Sequence, residues 1–453
     1  MNVDLDLVRK YNVAGPRYTS YPPATKFGPL GAEVAKREIA AHNHPERDVS
    51  LYFHLPFCRS LCWYCGCTTV ITTRQKESGV YLNYLSREMG QISPLVHPDR
   101  EVAQLHWGGG TPTFLLPDEI RRLGSIITEH FNLSKNIEAG VEIDPRTLTR
   151  DHVVALREIG FNRASLGVQD FDPQVQLAVH RIQPRKMVEE VVGWIRGEGF
   201  QSLNFDLIYG LPYQTRDSFA RTLEAALEMN PDRFAVFNYA HVPWIKPGQK
   251  IMKEETLPAA DVKLEILKLT IETLTSHGYV YIGMDHFAKA DDELAIAQRE
   301  KTLQRNFQGY STHGDADLFA FGMSSISNVD GLYWQNEKEL AKYYDGLGKG
   351  VSPITRGYLL NDDDKVRRHT IMRLMCDLGL DFARMSADLG LNFEEYFETE
   401  LAALDDLAED GLLFKKRGGL SVTETGRLFL RNIAMRFDAT QLASGAHRYS
   451  KTI

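Results

Sequence analysis

The sequence predicts an α/β protein built on a parallel sheet, followed by a smaller, mostly helical C-terminal part. Three observations support this fold class. Short β-rich runs alternate with longer segments of helical period between residues 50 and 240. Helical segments predominate after residue 351. The length of 453 residues exceeds that of a typical single core, so we expect at least two domains.

Six runs in the first region have the composition of strands. They are residues 50–54, 103–107, 140–143, 164–168, 203–207 and 234–238. Candidate helices lie between them at residues 81–92, 117–131, 185–197 and 216–227. Right-handed βα units of this kind form either an open doubly wound sheet or an incomplete barrel. In both folds we expect the functional residues at the carboxyl ends of the strands.

Three domains account for the chain. We expect residues 1–48 to form an N-terminal arm, residues 49–350 the α/β catalytic domain with an extension, and residues 351–453 a small helical domain. That last domain has predicted helices at 363–378, 393–410 and 423–434 with a hairpin at 412–422, which is typical of a winged helix. It has no dense Lys/Arg stripe, so we expect it to pack on the α/β domain rather than bind nucleic acid.

Composition excludes several function classes. The hydrophobic share of 43% and the charged share of 25% are ordinary for a globular protein. A net charge of -8 argues against nonspecific nucleic-acid binding. No apolar run approaches the roughly 20 residues that span a bilayer, and residues 1–15 do not resemble a secretory signal. We therefore expect a cytoplasmic protein, and we take it to be a monomer.

Four of the five cysteines fall within ten residues, directly after the first predicted strand. Cys58, Cys62 and Cys65 have the spacing C-x3-C-x2-C, and Cys67 follows two residues later. Thiolates select iron–sulfur clusters, zinc or Cu(I). Structural zinc usually takes two separated pairs of ligands, so the spacing favours a [4Fe-4S] cluster with one open iron and leaves zinc as the alternative. Cys376 stands alone in an apolar helical stretch, where we expect a buried small hydrophobe.

The cysteine motif, with two aromatic residues before its third cysteine, resembles the radical S-adenosylmethionine (SAM) superfamily. Longer blocks resemble one family within it, oxygen-independent coproporphyrinogen III oxidase, also called coproporphyrinogen dehydrogenase. These blocks are YNVAGPRYTSYP at 11–22, YFHLPFC at 52–58, HWGGGTPT at 106–113, EIDPR at 142–146, GVQDF at 167–171, DLIYGLP at 206–212, FNYAH at 237–241, GMDHFA at 283–288 and RNFQGY at 305–310. The resemblance favours the incomplete barrel, a partial (β/α)6 radical SAM barrel.

The resemblance implies a cofactor set and the residues that contact it. A [4Fe-4S] cluster would be held by Cys58, Cys62 and Cys65, its fourth iron binding the amino and carboxylate groups of SAM. Cys67 would lie outside the ligand set. Two SAM molecules are implied. Tyr52, Gly109, Glu142 and Ile326 would contact the first, and Tyr64, Gly110, Thr111, Gln169, Arg181, Asp206 and Ala240 the second.

Several of these residue types also suit SAM on chemical grounds. The carboxylates of Glu142 and Asp206 suit its ammonium group or ribose hydroxyls, and the guanidinium of Arg181 suits its carboxylate. Glycines after the second predicted strand let backbone groups approach a ligand closely. The alternative for each charged residue is a solvated position at the rim of the sheet, and for the glycines a tight turn.

The resemblance implies an oxidoreductase that decarboxylates two propionate side chains of coproporphyrinogen III to vinyl groups, giving protoporphyrinogen IX in anaerobic haem biosynthesis. A SAM-derived radical would abstract hydrogen from the propionate β-carbon. A reductant of flavodoxin or ferredoxin type and an electron acceptor, which the sequence does not identify, are the implied partners. We also predict that Arg17 contacts a substrate propionate, because a planar guanidinium suits a carboxylate.

Three other functions stay open from the sequence. A related radical SAM haem chaperone is the nearest, but it typically has an aromatic residue where Cys67 stands and a His-Asn-x-x-Tyr-Trp motif that this chain lacks. A radical SAM methyltransferase would also use a second SAM and would be distinguished by a methylated product. A structural zinc protein would contain neither iron nor sulfide.

Overall fold

The computed structural model describes residues 4–314 and 316–442. The chain divides into two compact units, each assembled from separate stretches of sequence. Among the described residues, the barrel unit comprises 27–258 and 316–359. The accessory unit comprises 4–26, 259–314 and 360–442. The three-domain division expected from the sequence stays a prediction.

Six parallel strands form the centre of the barrel unit. They are β1 (Val49–Leu55), β2 (Glu101–Gly109), β3 (Asn132–Ile143), β4 (Arg163–Gln169), β5 (Ser202–Tyr209) and β6 (Arg233–Asn238). Each pairs in parallel with the next one along the chain. A doubly wound sheet would reverse its strand order at a switch point, whereas this order is unbroken. The barrel alternative is therefore confirmed.

Helices follow or link these strands, as expected for βα units. They are Lys76–Ile92, Pro117–His130, Arg150–Glu158, Pro173–Ala178, Arg185–Gly197 and Arg216–Glu228. The helix Pro117–His130 shows why they form. It starts with proline, has acidic residues in its first turn, and buries Ile120, Leu123 and Ile127 along one face. The apolar face is buried, and the helix contacts the neighbouring helices Lys76–Ile92 and Arg150–Glu158.

The alternation of β4 and β5 positions polar residues on the inner face of the sheet. Leu166 and Val168 of β4 and Phe205 and Leu207 of β5 are fully buried. The intervening positions are only partly buried and include the hydrogen-bonded side chains of Ser165, Asn204 and Asp206. Because successive strand side chains point to opposite faces, the apolar set and the polar set lie on opposite sides of the sheet.

Five further strands extend the sheet beyond β1. Asp317–Phe321 pairs in parallel with β1, and Ile326–Val329, Leu332–Asn336, Ile354–Leu359 and Gly28–Pro29 follow in antiparallel order. Two helices, Ala32–Ala41 and Leu340–Gly348, accompany them. The sequence did not indicate these strands. Every residue of Asp317–Phe321 and of Leu332–Asn336 is buried, so no alternation of polar and apolar residues marks them.

The accessory unit is mostly helical. Its helices are Leu5–Tyr11, Ala260–Ser276, Glu293–Glu300, Asp362–Asp377, Phe382–Leu389, Phe393–Tyr396, Glu398–Ala402, Asp405–Glu409, Leu430–Met435 and Ala439–Leu442. Its strands are Tyr279–Gly283, His286–Lys289, Gln304–Asn306, Gly309–Ser311, Gly379–Asp381, Leu413–Lys416 and Gly419–Val422. The last three form one sheet that contains the predicted hairpin. The single helix expected at residues 393–410 is three short helices, interrupted at the fully buried Phe397 and Leu404.

No helix in the described part of the chain is long and apolar enough to cross a bilayer.

Candidate functional site

The predicted ligand cysteines lie on the loop that follows β1. Two short strands, Phe57–Cys58 and Val70–Ile71, pair at the base of this loop. Main-chain hydrogen bonds from Val70 N to Pro56 O (2.8 Å) and from Thr72 N to Cys58 O (3.0 Å) close it there. Inside the loop, Cys65 N donates to Cys62 O at 3.0 Å. All three thiols therefore belong to one short closed loop at the carboxyl end of β1.

Cys58 and Cys65 have neutral hydrogen-bond partners. The Sγ atom of Cys58 lies 3.3 Å from Thr111 Oγ1, and burial raises the pKa of Cys58 to about 11. The Sγ atom of Cys65 accepts a hydrogen bond from the main-chain N–H of Cys67 at 3.4 Å. The thiol of Cys67, together with this N–H and the positive charge of Lys246, lowers the pKa of Cys65 to about 6. These groups therefore favour the thiolate form of Cys65, which is the form that binds metal.

Cys62 has charged partners. Its Sγ accepts hydrogen bonds from Arg146 Nη2 at 3.2 Å and from Arg181 Nη1 at 3.5 Å. The carboxylate of Asp144 holds both arginines, at 2.6 Å from Arg146 Nη2 and 3.0 Å from Arg181 Nη1. Burial acts to raise the pKa of Asp144, but the two guanidinium groups outweigh it and lower that pKa to about 2. Asp144 therefore stays ionised.

The glycines after β2 pack against the base of the cysteine loop. A side chain at Gly109, whose φ is +108°, would place its Cβ 2.5 Å from the ring of His54. A Cβ at Gly110 would lie 2.5 Å from main-chain atoms of Pro56. The N–H of Gly110 donates to Leu55 O at 2.9 Å. Glycine is required here because β1 and its loop approach β2 closely, whatever ligand the backbone also meets.

The residues predicted for the first SAM include a carboxylate that is open to a ligand. Glu142, near the end of β3, accepts a hydrogen bond from Gly109 N at 3.0 Å and lies 3.5 Å from His106 Nε2. Burial alone would raise the pKa of Glu142, but His106 and the Gly109 N–H hold it below its usual value. Its side chain remains 44% accessible. The ring of Tyr52 stacks on His106 at 5.9 Å, which brings Tyr52 to the same place.

Ile326, the fourth residue of the first set, is positioned by the sheet extension. It begins the strand Ile326–Val329, which pairs with Asp317–Phe321. Ala320, which belongs to Asp317–Phe321, is the register partner of Tyr52 on β1. Pairing across neighbouring strands therefore places Ile326 at the same region of the sheet as Tyr52.

Two polar residues predicted for the second SAM lie on β4 and β5. Asp206 accepts hydrogen bonds from Ser165 Oγ at 2.9 Å and from Asn204 Nδ2 at 2.8 Å. Burial, reinforced by the negative charge of Glu142, raises the pKa of Asp206 to about 7. Gln169 adopts a left-handed φ of +64°, and its Oε1 is buried without a hydrogen-bond partner. An unsatisfied buried acceptor of this kind suits a ligand that donates a hydrogen bond.

A buried glutamine joins two further predicted contacts. Gln249 is 1% exposed, and its Nε2 lies 3.0 Å from Tyr64 O and 3.3 Å from Ala240 O. The ring of Tyr64 packs against an apolar cluster that includes Val179 and Tyr239. Tyr64 and Ala240 are thus held together by a side chain that no sequence motif marked.

Arg181 and Arg17 are both engaged with carboxylates of the protein. Arg181 pairs with Asp144 as described above, so its guanidinium belongs to the Cys62 surroundings as well as to the predicted second SAM site. Arg17 lies in the accessory unit, where it forms an ion pair with Asp285. Its contact with a substrate propionate stays a prediction.

Asp144, Arg146 and Gln249 were missed as functional candidates. Asp144 and Arg146 follow Glu142 at alternate positions just after β3, and that placement of charges at a strand end was the available signal. Nothing in the sequence around Gln249 marked it. Within residues 4–314 and 316–442, no three His, Cys, Asp or Glu side chains are arranged to hold a single metal ion.

Known proteins resemble this chain over nearly its whole length. The Radical SAM superfamily model matches residues 52–226, and the HemN C-terminal domain model matches residues 360–429. The oxygen-independent coproporphyrinogen III oxidase of Synechocystis sp. is 47% identical, covering 99% of this chain and 97% of the relative. The enzyme of that name from Salmonella typhimurium is 48% identical, covering 96% and 95%.

A solved structure extends this similarity to the fold. The structure described as coproporphyrinogen III oxidase (HemN) from Escherichia coli, a radical SAM enzyme, superimposes with a TM-score of 0.93 and is 45% identical. The match covers 97% of this chain and 99% of the Escherichia coli chain. The predicted radical SAM fold is therefore confirmed.

Proposed function

Because the chain belongs to the oxygen-independent coproporphyrinogen III oxidase family of radical SAM enzymes, we propose that it oxidatively decarboxylates two propionate side chains of coproporphyrinogen III. The product is protoporphyrinogen IX, formed for anaerobic haem biosynthesis. The observation that carries this proposal is the closed C-x3-C-x2-C loop at the end of β1, beside the open carboxylate of Glu142.

Cys58, Cys62 and Cys65 are the proposed ligands of the [4Fe-4S] cluster. The thiol chemistry fits this group, because the pKa of Cys65 is lowered to about 6 and Cys62 accepts two charged hydrogen bonds. Cys67 supplies its main-chain N–H to Cys65 and is assigned no place among the ligands. When bound, the cluster and SAM supply the hydrogen-abstracting radical.

The first SAM is proposed to bind at Tyr52, Gly109, Glu142 and Ile326. Glu142 is ionised, accessible and fixed by the Gly109 N–H, so it can accept hydrogen bonds from an ammonium group or ribose hydroxyls without reorganising. His106 braces the same carboxylate from the neighbouring strand. The role of Tyr52 is to close this pocket with its ring, which stacks on His106.

The second SAM is proposed to bind at Tyr64, Gly110, Thr111, Gln169, Arg181, Asp206 and Ala240. Gln169 supports this assignment because its buried Oε1 needs a donor that the protein does not supply. Burial raises the pKa of Asp206 to about 7, which favours the protonated carboxyl, a group that can both donate and accept a hydrogen bond. Such a residue tolerates more than one orientation of a polar ligand.

The reaction needs two electron partners. Each vinyl group requires loss of one hydrogen atom from the propionate β-carbon, followed by loss of CO2 and one electron. A reductant of flavodoxin or ferredoxin type would supply the electron that SAM cleavage needs, and a separate acceptor would take up the electron that the substrate loses. We further propose that Arg17 contacts a propionate, that the enzyme is a cytoplasmic monomer, and that the thiol ligands depend on that reducing compartment.

Anaerobic turnover tests the function. Reconstituted protein would receive SAM, reductant, coproporphyrinogen III and a cell extract as the source of acceptor, and protoporphyrinogen IX and 5'-deoxyadenosine would be quantified together. We expect deoxyadenosine to match the vinyl groups formed, both products to disappear in Cys62→Ser, and both to persist in the matched control Cys376→Ala. Stoichiometric haem binding without SAM cleavage would instead indicate a haem chaperone, and a methylated product a methyltransferase.

A further inference from the structure

Two guanidinium groups converge on one of the three proposed ligand sulfurs. Arg146 Nη2 and Arg181 Nη1 donate to Cys62 Sγ at 3.2 Å and 3.5 Å. The hydrogen bonds to the other two sulfurs involve neutral groups, the Thr111 hydroxyl at Cys58 and the main-chain N–H and thiol of Cys67 at Cys65. Cys62 is 8% exposed, so these charged contacts are formed away from bulk water. The surroundings of the three sulfurs are therefore unequal in charge.

Arg146 and Arg181 are held in place by several hydrogen bonds in addition to those they donate to the sulfur. Arg146 binds Asp144 through both carboxylate oxygens, with Nε 3.0 Å from Oδ1 and Nη2 2.6 Å from Oδ2. Arg181 binds the same carboxylate at 3.0 Å, and its other N–H groups donate to Gln183 Oε1 at 3.0 Å and to Gly167 O at 2.7 Å. A guanidinium held at several N–H groups keeps its orientation towards the sulfur.

The net charge beside Cys62 predicts the direction in which the reduction potential of the cluster is shifted. Two guanidinium groups and one carboxylate leave one net positive charge beside Cys62. Hydrogen bonds to a ligand sulfur and positive charge near a cluster both favour the more negatively charged, reduced form. The effect is strengthened by burial, because charges interact more strongly where water is excluded. Arg146 makes the shorter of the two contacts with Cys62 Sγ, so it should stabilise the reduced cluster more than Arg181 does.

We propose that Arg146, held by Asp144, raises the reduction potential of the iron–sulfur cluster by donating to the sulfur of Cys62. Arg146 acts through that ligand, so it is a positioning residue and not one that touches substrate. The inference rests on the proposed function in one respect, since it requires that Cys62 is a cluster ligand. It adds a role for Arg146 in letting a physiological reductant of modest potential reduce the cluster.

The test is a redox titration of the reconstituted holoenzyme, followed by the electron paramagnetic resonance signal of the reduced cluster. SAM is left out, so that the potential reports the protein surroundings alone. For Arg146→Met we expect the ratio of reduced to oxidised cluster at a fixed solution potential to fall about tenfold, which corresponds to 59 mV for a one-electron couple. Methionine is chosen because Arg146 lines a cavity of about 90 Å³, so the shorter side chain forces no neighbour to move.

Arg59→Met is the matched control. Arg59 lines the same cavity and follows Cys58 in the sequence, but its guanidinium donates to Gln75 Oε1 at 3.1 Å. The two substitutions remove the same charge, and only one removes a donor to sulfur. We expect the Arg59 variant to keep a potential close to that of the wild type. Equal shifts in both variants would overturn the proposal, because a general charge effect would then explain them.

Arg146→Lys provides a second variant that keeps the charge but loses the planar fork. We expect it to shift the potential in the same direction as Arg146→Met and by less. An unchanged potential in Arg146→Met would overturn the inference while leaving the proposed function intact. Loss of iron from both Arg146 variants would also overturn it, since Arg146 would then serve assembly. Wild-type protein that binds no iron on the three cysteines would instead contradict the proposed function.

Discussion

Cys62 in the barrel unit and Cys376 in the accessory unit are both buried thiols, but their surroundings differ in kind. Cys62 accepts hydrogen bonds from Arg146 and Arg181. Cys376 is fully buried in an apolar cluster with side chains such as Ile282 and Leu303, and burial raises its pKa to about 12. Burial by itself makes a thiol inert, and directed donors are what prepare a buried thiol to be a ligand.

The comparison holds even though an arginine also lies near Cys376. The guanidinium of Arg373 donates to the main-chain oxygen of Lys301 at 3.4 Å and to that of Leu303. It also lies 3.5 Å from the carboxylate of Asp377. Arg373 acts to lower the pKa of Cys376, but burial outweighs it, and its closest hydrogen bonds go to backbone oxygens. Around Cys62, in contrast, the carboxylate of Asp144 holds two guanidinium groups that donate to the sulfur. The hydrogen-bond partners of a nearby arginine therefore help to decide how strongly it acts on a buried thiol.

Replacing the sulfur of Cys62 with oxygen should have the largest effect on cluster content and activity. In Cys62→Ser, a hydroxyl replaces the thiolate, and oxygen is a poor ligand for this kind of cluster. We expect iron and sulfide per chain to fall and SAM cleavage to drop by more than the 10–100-fold loss typical of outer-shell changes. Iron and sulfide analysis measures this. Full iron and sulfide content in the variant would show that Cys62 is not a ligand. The contrast between the surroundings of Cys62 and Cys376 would then have no bearing on cluster binding.

The next largest effect, on the free energy of unfolding, is expected from removing the carboxylate of Asp144. Asp144→Asn leaves the buried guanidinium of Arg181 and the partly buried one of Arg146 without their counter-charge. Breaking a buried ion pair in this way typically costs up to about 3–5 kcal/mol of unfolding free energy. Urea unfolding of the cluster-free protein at neutral pH measures the loss. A loss below about 1 kcal/mol would show that the arginines do not depend on Asp144.

The same variant has a defined pH dependence. The folded-state pKa of Asp144, about 2, lies below its usual value of 3.8, so its contribution to stability is present above pH 4 and is lost as the pH falls through 2. The stability gap between wild type and Asp144→Asn should therefore narrow on acidification. A gap that stayed constant between pH 5 and pH 2.5 would assign the effect to packing rather than to charge.

A polar substitution in the apolar environment should cost less and should not touch the cluster. Cys376→Ser buries a hydroxyl among apolar side chains, which typically costs about 1–3 kcal/mol. Urea unfolding measures that cost, and iron analysis should give the wild-type value. Cys376→Ala is the control, because it removes the sulfur without adding a polar group. If the serine variant lost iron, Cys376 would have a role that its apolar surroundings do not suggest.

The smallest effect on the cluster is expected from Cys67→Ser. Cys67 contacts Cys65 Sγ through its main-chain N–H, which serine keeps, and through its thiol, which serine replaces with a hydroxyl that can also donate. We expect unchanged iron and sulfide per chain, with activity measured alongside. Reduced iron would show that Cys67 is a ligand, and the closed loop would then present four thiols instead of three.

The sequence predicted those parts of the molecule whose signal is local. Alternation or apolar runs located the six barrel strands, and the spacing of Cys58, Cys62 and Cys65 predicted that they serve one site on a single loop. The surroundings of Cys62 were not predictable, because Arg146 and Arg181 lie 84 and 119 residues further along the chain. Contacts at such separations arise from the order of the strands, which periodicity does not encode. The fully buried strand Asp317–Phe321 was missed for a related reason, since burial on both faces removes the alternation.

The closed base of the cysteine loop has a consequence for how the enzyme recovers from exposure to air. The main-chain bonds from Val70 N to Pro56 O and from Thr72 N to Cys58 O involve no thiol group. If oxygen destroys the cluster, these bonds still hold the two ends of the loop at β1. We therefore expect the loop to keep its path when the thiols are unoccupied, so that reconstitution would need only iron and sulfide.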